Sequence, residues 1–369
     1  MALPHALTIH AGPRALAALR THGLCAEHVR AIPAAAGGPK GLVLNALDQY
    51  LFGAWLNRAT APVHLLGASI GAWRMAAACL NDPAKALAQM AHDYIHQDYE
   101  HAPGKAPTPR HVSEVFGANL KLRFDGRVPE LLSNPRFRLH VFTSRGRHLL
   151  RRHGRALSSI STPLSYFGAF AANAVSRRAM GGWWERVVFS DTRDPLPFHL
   201  HDYRTHSAAL NGDNLALSIL ASCSIPYWLD PVHNIPGAPR GAYWDGGITD
   251  YHLHLNYASM TETAAEPALV LYPHFQSTVI PGWLDKFFKH RHRATAHLSN
   301  LIVLSPNPEW VKTLPNAKLP DRTDFRHFGD DTKARVAAWS TAVKESERLR
   351  DEFTAWVGGR LALDVQPLV

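Results

Sequence analysis

Pro62-Val63-His64-Leu65-Leu66-Gly67-Ala68-Ser69-Ile70-Gly71-Ala72-Trp73 opens as a short apolar run and stops at a Gly-x-Ser-x-Gly pentapeptide. A run of this length, bounded by turn residues, reads as a buried strand. Residues 72–80 are mostly small and suit a helix packed closely on a sheet. In a strand–turn–helix elbow of this kind the serine sits on a tight, strained turn, and the flanking glycines let strand and helix approach each other. The serine also lies at the positive end of the following helix, where developing negative charge is favoured. A plainer reading makes Ser69 an ordinary helix N-cap.

Upstream, the pattern repeats. Residues 29–36 read as a strand that ends in Gly37-Gly38-Pro39-Lys40-Gly41. A segment with Leu42, Leu44, Leu47, Tyr50, Leu51 and Trp55 at helical spacing follows. Strand, glycine turn and helix, met twice, predict an α/β fold with a largely parallel sheet and helices on its faces. Consecutive glycines expose backbone N–H groups that can hold the oxyanion of a tetrahedral intermediate. Pro39 has no N–H, so Gly37 and Gly38 are the candidate donors, and Lys40 adds a nearby cation. A phosphate loop needs G-x-x-x-x-G-K-[ST], and Lys40 is followed instead by Gly41 and Leu42.

A third motif, Tyr243-Trp244-Asp245-Gly246-Gly247, is either a plain turn or a carboxylate presented on a glycine loop. A carboxylate bonded to a serine hydroxyl can serve as its general base without histidine.

In order and spacing the three motifs resemble the patatin-like family of lipid acyl hydrolases. The stretch Ala221-Ser222-Cys223-Ser224-Ile225-Pro226, continuing to Asp230-Pro231-Val232, is also similar to a segment of that family. The resemblance spans residues 29–249. It implies a three-layer α/β/α fold with a largely parallel central sheet. It further implies Ser69 as nucleophile, Asp245 as its base, Gly37 and Gly38 as oxyanion hole, and Lys40 at the family's basic position. Neither cofactor nor metal is implied. Two features depart from the family pattern: Ala35 and Ala36 replace an acidic residue and a loop glycine, and Trp73 is bulky enough to narrow the pocket.

Outside the motifs, strands are expected at 137–143, 186–189, 268–272 and 301–304, and helices at 107–123 and, as one long amphipathic element, 332–356. Without a repeat or a linker-like composition shift, residues 1–369 read as a single domain. Its motif-bearing core covers about 29–275, and a C-terminal strand and long helix occupy 299–357.

Composition narrows the function classes. The chain has 369 residues, 46% apolar and 19% charged, which excludes a disordered chain. Cys25, Cys79 and Cys223 are far apart and without zinc spacing, which fits a reducing compartment. No secretory signal and no run approaching ~20 apolar residues is found, so the expected location is cytoplasmic, with peripheral contact at a membrane. The formal charge of +9 admits anionic partners without choosing among them. Arg145, Arg147, Arg151, Arg152 and Arg155 form one basic patch. Lys286, Lys289, Arg291 and Arg293, beside Trp283, Phe287 and Phe288, form a second, as in segments that rest on anionic lipid.

Rival readings remain open on sequence alone. The pairs His199/His201, His252/His254 and His290/His292 have strand spacing for a shared metal, but no carboxylate-rich context accompanies them. A Ser-Asp-His triad esterase of the α/β-hydrolase type would use Ser69, Asp245 and a later histidine such as His252, His254 or His274. A basic nucleic-acid or membrane-surface binding protein without catalysis is the third. No nucleic-acid-binding motif supports it, so no nucleic acid is expected and a lipid ester is the expected substrate.

Overall fold

The computed structural model describes residues 4–101, 105–152, 168–200, 202–260 and 267–369. Eleven strands form one mixed, mostly parallel sheet flanked by helices. They are β1 (Leu7–Ala11), β2 (Val29–Ala34), β3 (Val63–Ala68), β4 (Phe137–Gly146), β5 (Trp184–Ser190), β6 (Thr205–Ala209), β7 (Val232–His233), β8 (Ala242–Trp244), β9 (Leu269–Pro273), β10 (Leu301–Pro306) and β11 (Val365–Pro367). Nine of them run across the sheet in the order β11-β1-β10-β9-β2-β3-β4-β5-β6, while β8 pairs with β4 and β7 with β8.

The centre is parallel: β10, β9, β2, β3 and β4 share one direction. Strands covered on both faces read as continuous apolar runs, and every residue of β3 is buried. Parallel neighbours bring their carboxyl ends to one edge. Ala34 of β2 lies opposite Gly67 of β3, and Gly67 opposite Val141 of β4. In open α/β sheets ligands bind beyond the carboxyl ends of such strands.

Helix boundaries follow local chemistry. The elbow helix α1 (Ile70–Ala78) starts at Ser69. Helix α2 (Pro83–His96) starts where the Asp82 carboxylate accepts the Lys85 N–H, with Pro83 in the first turn. Helix α3 (Pro109–Phe124) is capped by Thr108 in the same way. Helix α4 (Leu215–Cys223) and the short α5 (Gly247–Asp250) complete the surroundings of the sheet edge.

The single C-terminal helix expected at 332–356 is instead two, α6 (Thr332–Glu345) and α7 (Glu347–Val357). They divide at Ser346, whose hydroxyl bonds back to the Val343 carbonyl at 2.6 Å. A serine that returns to its own preceding turn competes with the helical ladder. The apolar stripe itself skips phase here, since Val343 to Leu349 falls one residue short of two turns. Strands β1, β6, β7, β8 and β11 lie outside the runs expected from sequence, and β10 inserts between β9 and β1. The C-terminal third is therefore part of the sheet. Among the described residues no helix is long and apolar enough to cross a membrane.

The segment that carries Asp245 is tied to β5 by buried charge. Arg186, fully buried, donates to both Asp250 oxygens at 2.7 and 2.5 Å and to Asp202 at 2.7 Å. Thr249 Oγ1 donates to Asp250 Oδ2 at 2.8 Å. Removing one partner of a buried pair leaves an uncompensated charge. Asp250→Asn is therefore expected to lower unfolding free energy by about 3 kcal/mol in urea denaturation. A loss within the scatter of surface substitutions would show that Asp202 alone satisfies Arg186.

Candidate active site

Ser69 leaves β3 with φ +57° and ψ −131°, a conformation an L-residue adopts only under constraint. The constraint is close backbone packing on both sides. A Cβ at Gly71 would lie 2.0 Å from the Ala34 carbonyl oxygen, and one at Gly67 would lie 2.3 Å from Ala72 Cα. Only glycine fits at either place, so β2, β3 and α1 meet at the serine.

Ser222, near the end of α4, fixes the elbow to its surroundings. Its hydroxyl accepts the Ser69 N–H at 2.8 Å and donates to the Phe142 carbonyl of β4 at 2.7 Å. Its own carbonyl accepts the Gly246 N–H at 3.1 Å, while Ser224 O accepts the Asp245 N–H at 2.9 Å. A Cβ at Gly246 would stand 2.1 Å from Phe142 O. The Asp-Gly-Gly segment thus lies directly against the middle of β4, level with the end of β3.

These supports bring Asp245 to Ser69. The Ser69 hydroxyl donates to Asp245 Oδ2 at 2.7 Å, and the Gly247 N–H donates to Oδ1 at 2.7 Å. Both side chains are buried. Burial pushes the Asp245 carboxyl above its ordinary range, opposed by Arg322, by the Ser69 hydroxyl, by the Gly247 amide and by Lys286.

Gly37 and Gly38 stand at the start of the 3₁₀ segment Gly38–Leu44, directly after β2. Gly38 has φ +57°, and a Cβ on Gly37 would strike the Phe275 ring at 2.4 Å. Amides at a helix start lack partners within the helix. Gly38 borders the cavity that exposes Ser69, and Gly37 and Lys40 border a second pocket with Asp245. Lys40 sits 5.4 Å from the Phe275 ring centre. Ala36, in place of a loop glycine, is tied to the Tyr251 carbonyl through its N–H at 2.9 Å. Trp73 does not narrow the pocket as expected. It is buried behind Tyr94 and Phe116, which form the wall beside Ser69.

The candidate histidines lie elsewhere. His252 Nδ1 accepts the Ile280 N–H at 3.0 Å, and His274 Nδ1 accepts the Gln276 N–H at 3.0 Å. His254 Nε2 is 3.4 Å from Thr295 Oγ1. Burial lowers all three imidazoles, His274 to about 3 and His254 to about 4. Among the described residues no group of three or more His, Cys, Asp or Glu has metal-site geometry. His201 lies outside the described residues.

The first basic patch is not the free surface the sequence implied. Arg145 is buried and paired with Glu185, and Arg147 lies 3.5 Å from the same carboxylate. Both Arg145 and Arg151 donate to the Arg240 carbonyl. His153 and Arg155 lie outside the described residues. In the second patch, Arg291 pairs with buried Asp285 at 2.9 Å. Lys286, Lys289 and Arg293 are exposed, and Lys286 also borders the pocket that holds Asp245. Sequence reasoning also missed Arg322, which borders every cavity around the site. A lone arginine in a C-terminal loop carries no signal, whereas Ser222 stood in a noticed stretch without an assigned role.

With this geometry in place, comparison with known families is informative. The family model for patatin-like phospholipase matches residues 37–252, more than half of the chain, and the chain belongs to that family of lipid acyl hydrolases. Comparison with curated proteins and with solved structures gives no match.

Ser222→Ala removes the hydroxyl that serves two buried backbone groups. Each unsatisfied group costs about 1–3 kcal/mol. The variant is expected to melt at lower temperature and to lose ester hydrolysis beyond its loss of folded protein. Unchanged activity per folded molecule would show that the elbow holds its shape without this hydroxyl.

Proposed function

We propose that the chain hydrolyses carboxylic esters of lipids with Ser69 as nucleophile and Asp245 as its general base. One observation carries this reading: the Ser69 hydroxyl donates straight to the Asp245 carboxylate, whose other oxygen is taken by a backbone amide. No histidine stands between them.

In the first half-reaction Ser69 Oγ bonds to the ester carbonyl carbon, and its proton passes to Asp245. The negative charge that forms on the carbonyl oxygen faces the Gly37 and Gly38 amides and the positive end of α1. Collapse of the intermediate breaks the bond to the alcohol oxygen, and the proton on Asp245 goes to the leaving alcohol. A water then adds to the acyl-enzyme, with Asp245 again taking the proton, and the fatty acid departs as Ser69 is restored.

Burial contributes to the base. A carboxylate raised toward neutral pH is a stronger proton acceptor than an exposed one. The acyl chain has a place beside the serine, in a wall built from Tyr94, Val112, Phe116 and Leu229. This wall continues into a cavity of about 590 Å³ that reaches Trp228. For docking on lipid, exposed aromatic side chains flank the site on two sides: Tyr227 and Trp228, 62% and 51% exposed, directly after the pocket residues Ile225 and Pro226, and Phe287, 72% exposed, directly after the pocket residue Lys286. They are better placed than the arginines around Arg145, which are occupied by Glu185.

Ser69→Ala and Asp245→Asn are each expected to reduce lipid ester hydrolysis by roughly 10³-fold or more, and the double variant to lose little beyond either. His252→Ala or His274→Ala, if folded, should keep most of the activity. Full activity in either folded dyad variant would remove the assignment, and a loss from one histidine equal to that from Ser69→Ala would favour a triad.

The acid limb of kcat/KM tests the base separately. Catalysis needs Asp245 ionised, and its carboxyl is raised by burial. Activity should therefore fall, as pH is lowered, at a pH above the ordinary carboxylate range. A limb at or below that range would assign the proton to another group.

A further inference from the structure

Three cationic side chains from separate parts of the chain meet in one small pocket beside the dyad. Lys40 comes from the turn after Gly37-Gly38, Lys286 from the 3₁₀ segment Trp283–Phe287, and Arg322 from the residue before the helix Thr323–Phe328. They line a cavity of about 200 Å³ with Gly37 and Asp245. Lys286 and Arg322 both lie beyond the matched residues 37–252.

The pocket holds more positive than negative charge. Asp321 is the other acid in its wall, and Lys318 already pairs with it at 2.8 Å. Asp245 is engaged by Ser69 and Gly247. Lys40 and Lys286 face aromatic rings, Phe275 at 5.4 Å and Tyr251 at 3.8 Å, and neither they nor Arg322 has an ion-pair partner among the described residues. Burial lowers both lysines; Arg322 adds to the effect on each, while Asp321 opposes it at Lys40 and Asp245 opposes it at Lys286, which comes down to about 7. Cations held together at this cost are relieved by an anion placed among them.

Position relates that anion to the reaction. Arg322 borders both this pocket and the cavity that exposes Ser69. Its Nε lies 3.1 Å from where a Cβ on Gly38 would stand. A planar guanidinium pairs with phosphate or carboxylate oxygens through two parallel hydrogen bonds. An anion bound here is separated from the scissile carbonyl by only a short alcohol part.

We propose that Lys40, Lys286 and Arg322 form an oxyanion-binding subsite that selects acyl esters whose alcohol part carries an uncompensated phosphate or carboxylate. The subsite takes its meaning from Ser69 as nucleophile, but its occupancy can be measured without turnover. The excess of cations in the wall disfavours headgroups in which a further cation caps the phosphate. Binding also carries a pH signature. Lys286 is faced by Arg322, Lys40, Asp245, Tyr251, His252 and Trp283. Its positive charge weakens as pH rises through about 7, so affinity falls over that range for an anion of fixed charge, such as a carboxylate.

The test compares two esters of one acyl chain, monoacylglycerol and lysophosphatidate, with the purified full chain. The wild type should prefer lysophosphatidate by about tenfold or more in kcat/KM, the worth of one charged hydrogen-bonded contact. Arg322→Gln should raise KM for lysophosphatidate far more than for monoacylglycerol, with Arg322→Lys intermediate. Equal losses on both lipids, carried in kcat, would overturn the subsite and place Arg322 at the transition state. Calorimetry with inorganic phosphate on Ser69→Ala and on Ser69→Ala/Arg322→Gln, both checked by thermal melting, decides occupancy without catalysis. Phosphate should bind the first and bind the second about tenfold more weakly. Equal binding, or none to either, would overturn the proposal. Arg322-dependent phosphate binding without lipid preference would overturn the lipid as the source of the anion and assign the site to free phosphate. Activity that survives Ser69→Ala would sink the nucleophile assignment alone, since phosphate binding is read independently.

Discussion

One hydroxyl holds the site together. Ser222 Oγ accepts the amide of Ser69 and donates to the carbonyl of Phe142, the β4 residue opposite the end of β3, while the Ser222 carbonyl takes the amide of Gly246. Elbow, β4 and Asp245 loop are thereby fixed to a single residue of α4. Ser69 sits at φ +57°, a conformation that persists only where its surroundings over-determine it. Gly67, Gly71 and Gly246 supply the rest of that constraint by allowing backbone-to-backbone approach that a methyl group would forbid. The 2.7 Å contact between Ser69 and Asp245 is the result of this packing.

The electrostatics of the site divide into two regions that meet at Arg322. On one side lie the buried serine and carboxylate and an apolar wall of Tyr94, Val112, Phe116 and Leu229. On the other lie Lys40, Lys286 and Arg322 around a small polar pocket. A lipid ester has the same division, with an acyl chain on one side of the scissile bond and a polar alcohol on the other. Two of the arginines that suggested surface patches, Arg145 and Arg291, are paired inside the molecule with Glu185 and Asp285.

Much of the centre of the fold was legible because it is local. The runs that became β2 and β3, each closed by a glycine turn and followed by a helix, state their structure within a dozen residues, and Pro83 after Asp82 marks a helix start. The edges were not legible. β1, β6 and β11 are short or mixed in pattern and become strands only through pairing with distant partners such as β10. The split at Ser346 was visible as a phase slip but was overridden by the amphipathic pattern on either side.

The site followed the same rule. Ser69, Asp245 and the Gly37-Gly38 turn stand in motifs, and the structure brings the first two into contact. Lys286 and Arg322 reach the pocket through tertiary packing, which no spacing encodes. Lys286 is exposed, as a run of cations beside aromatics usually is, but its place at the rim of the pocket is not encoded in that run. The central claim is that Asp245 directly activates Ser69, and peptide mapping after reaction with a short fluorophosphonate tests it most directly. The expected result is one adduct, on the peptide that carries Ser69, formed far more slowly in folded Asp245→Asn. An adduct on another residue, or the same labelling rate in Asp245→Asn, would contradict it.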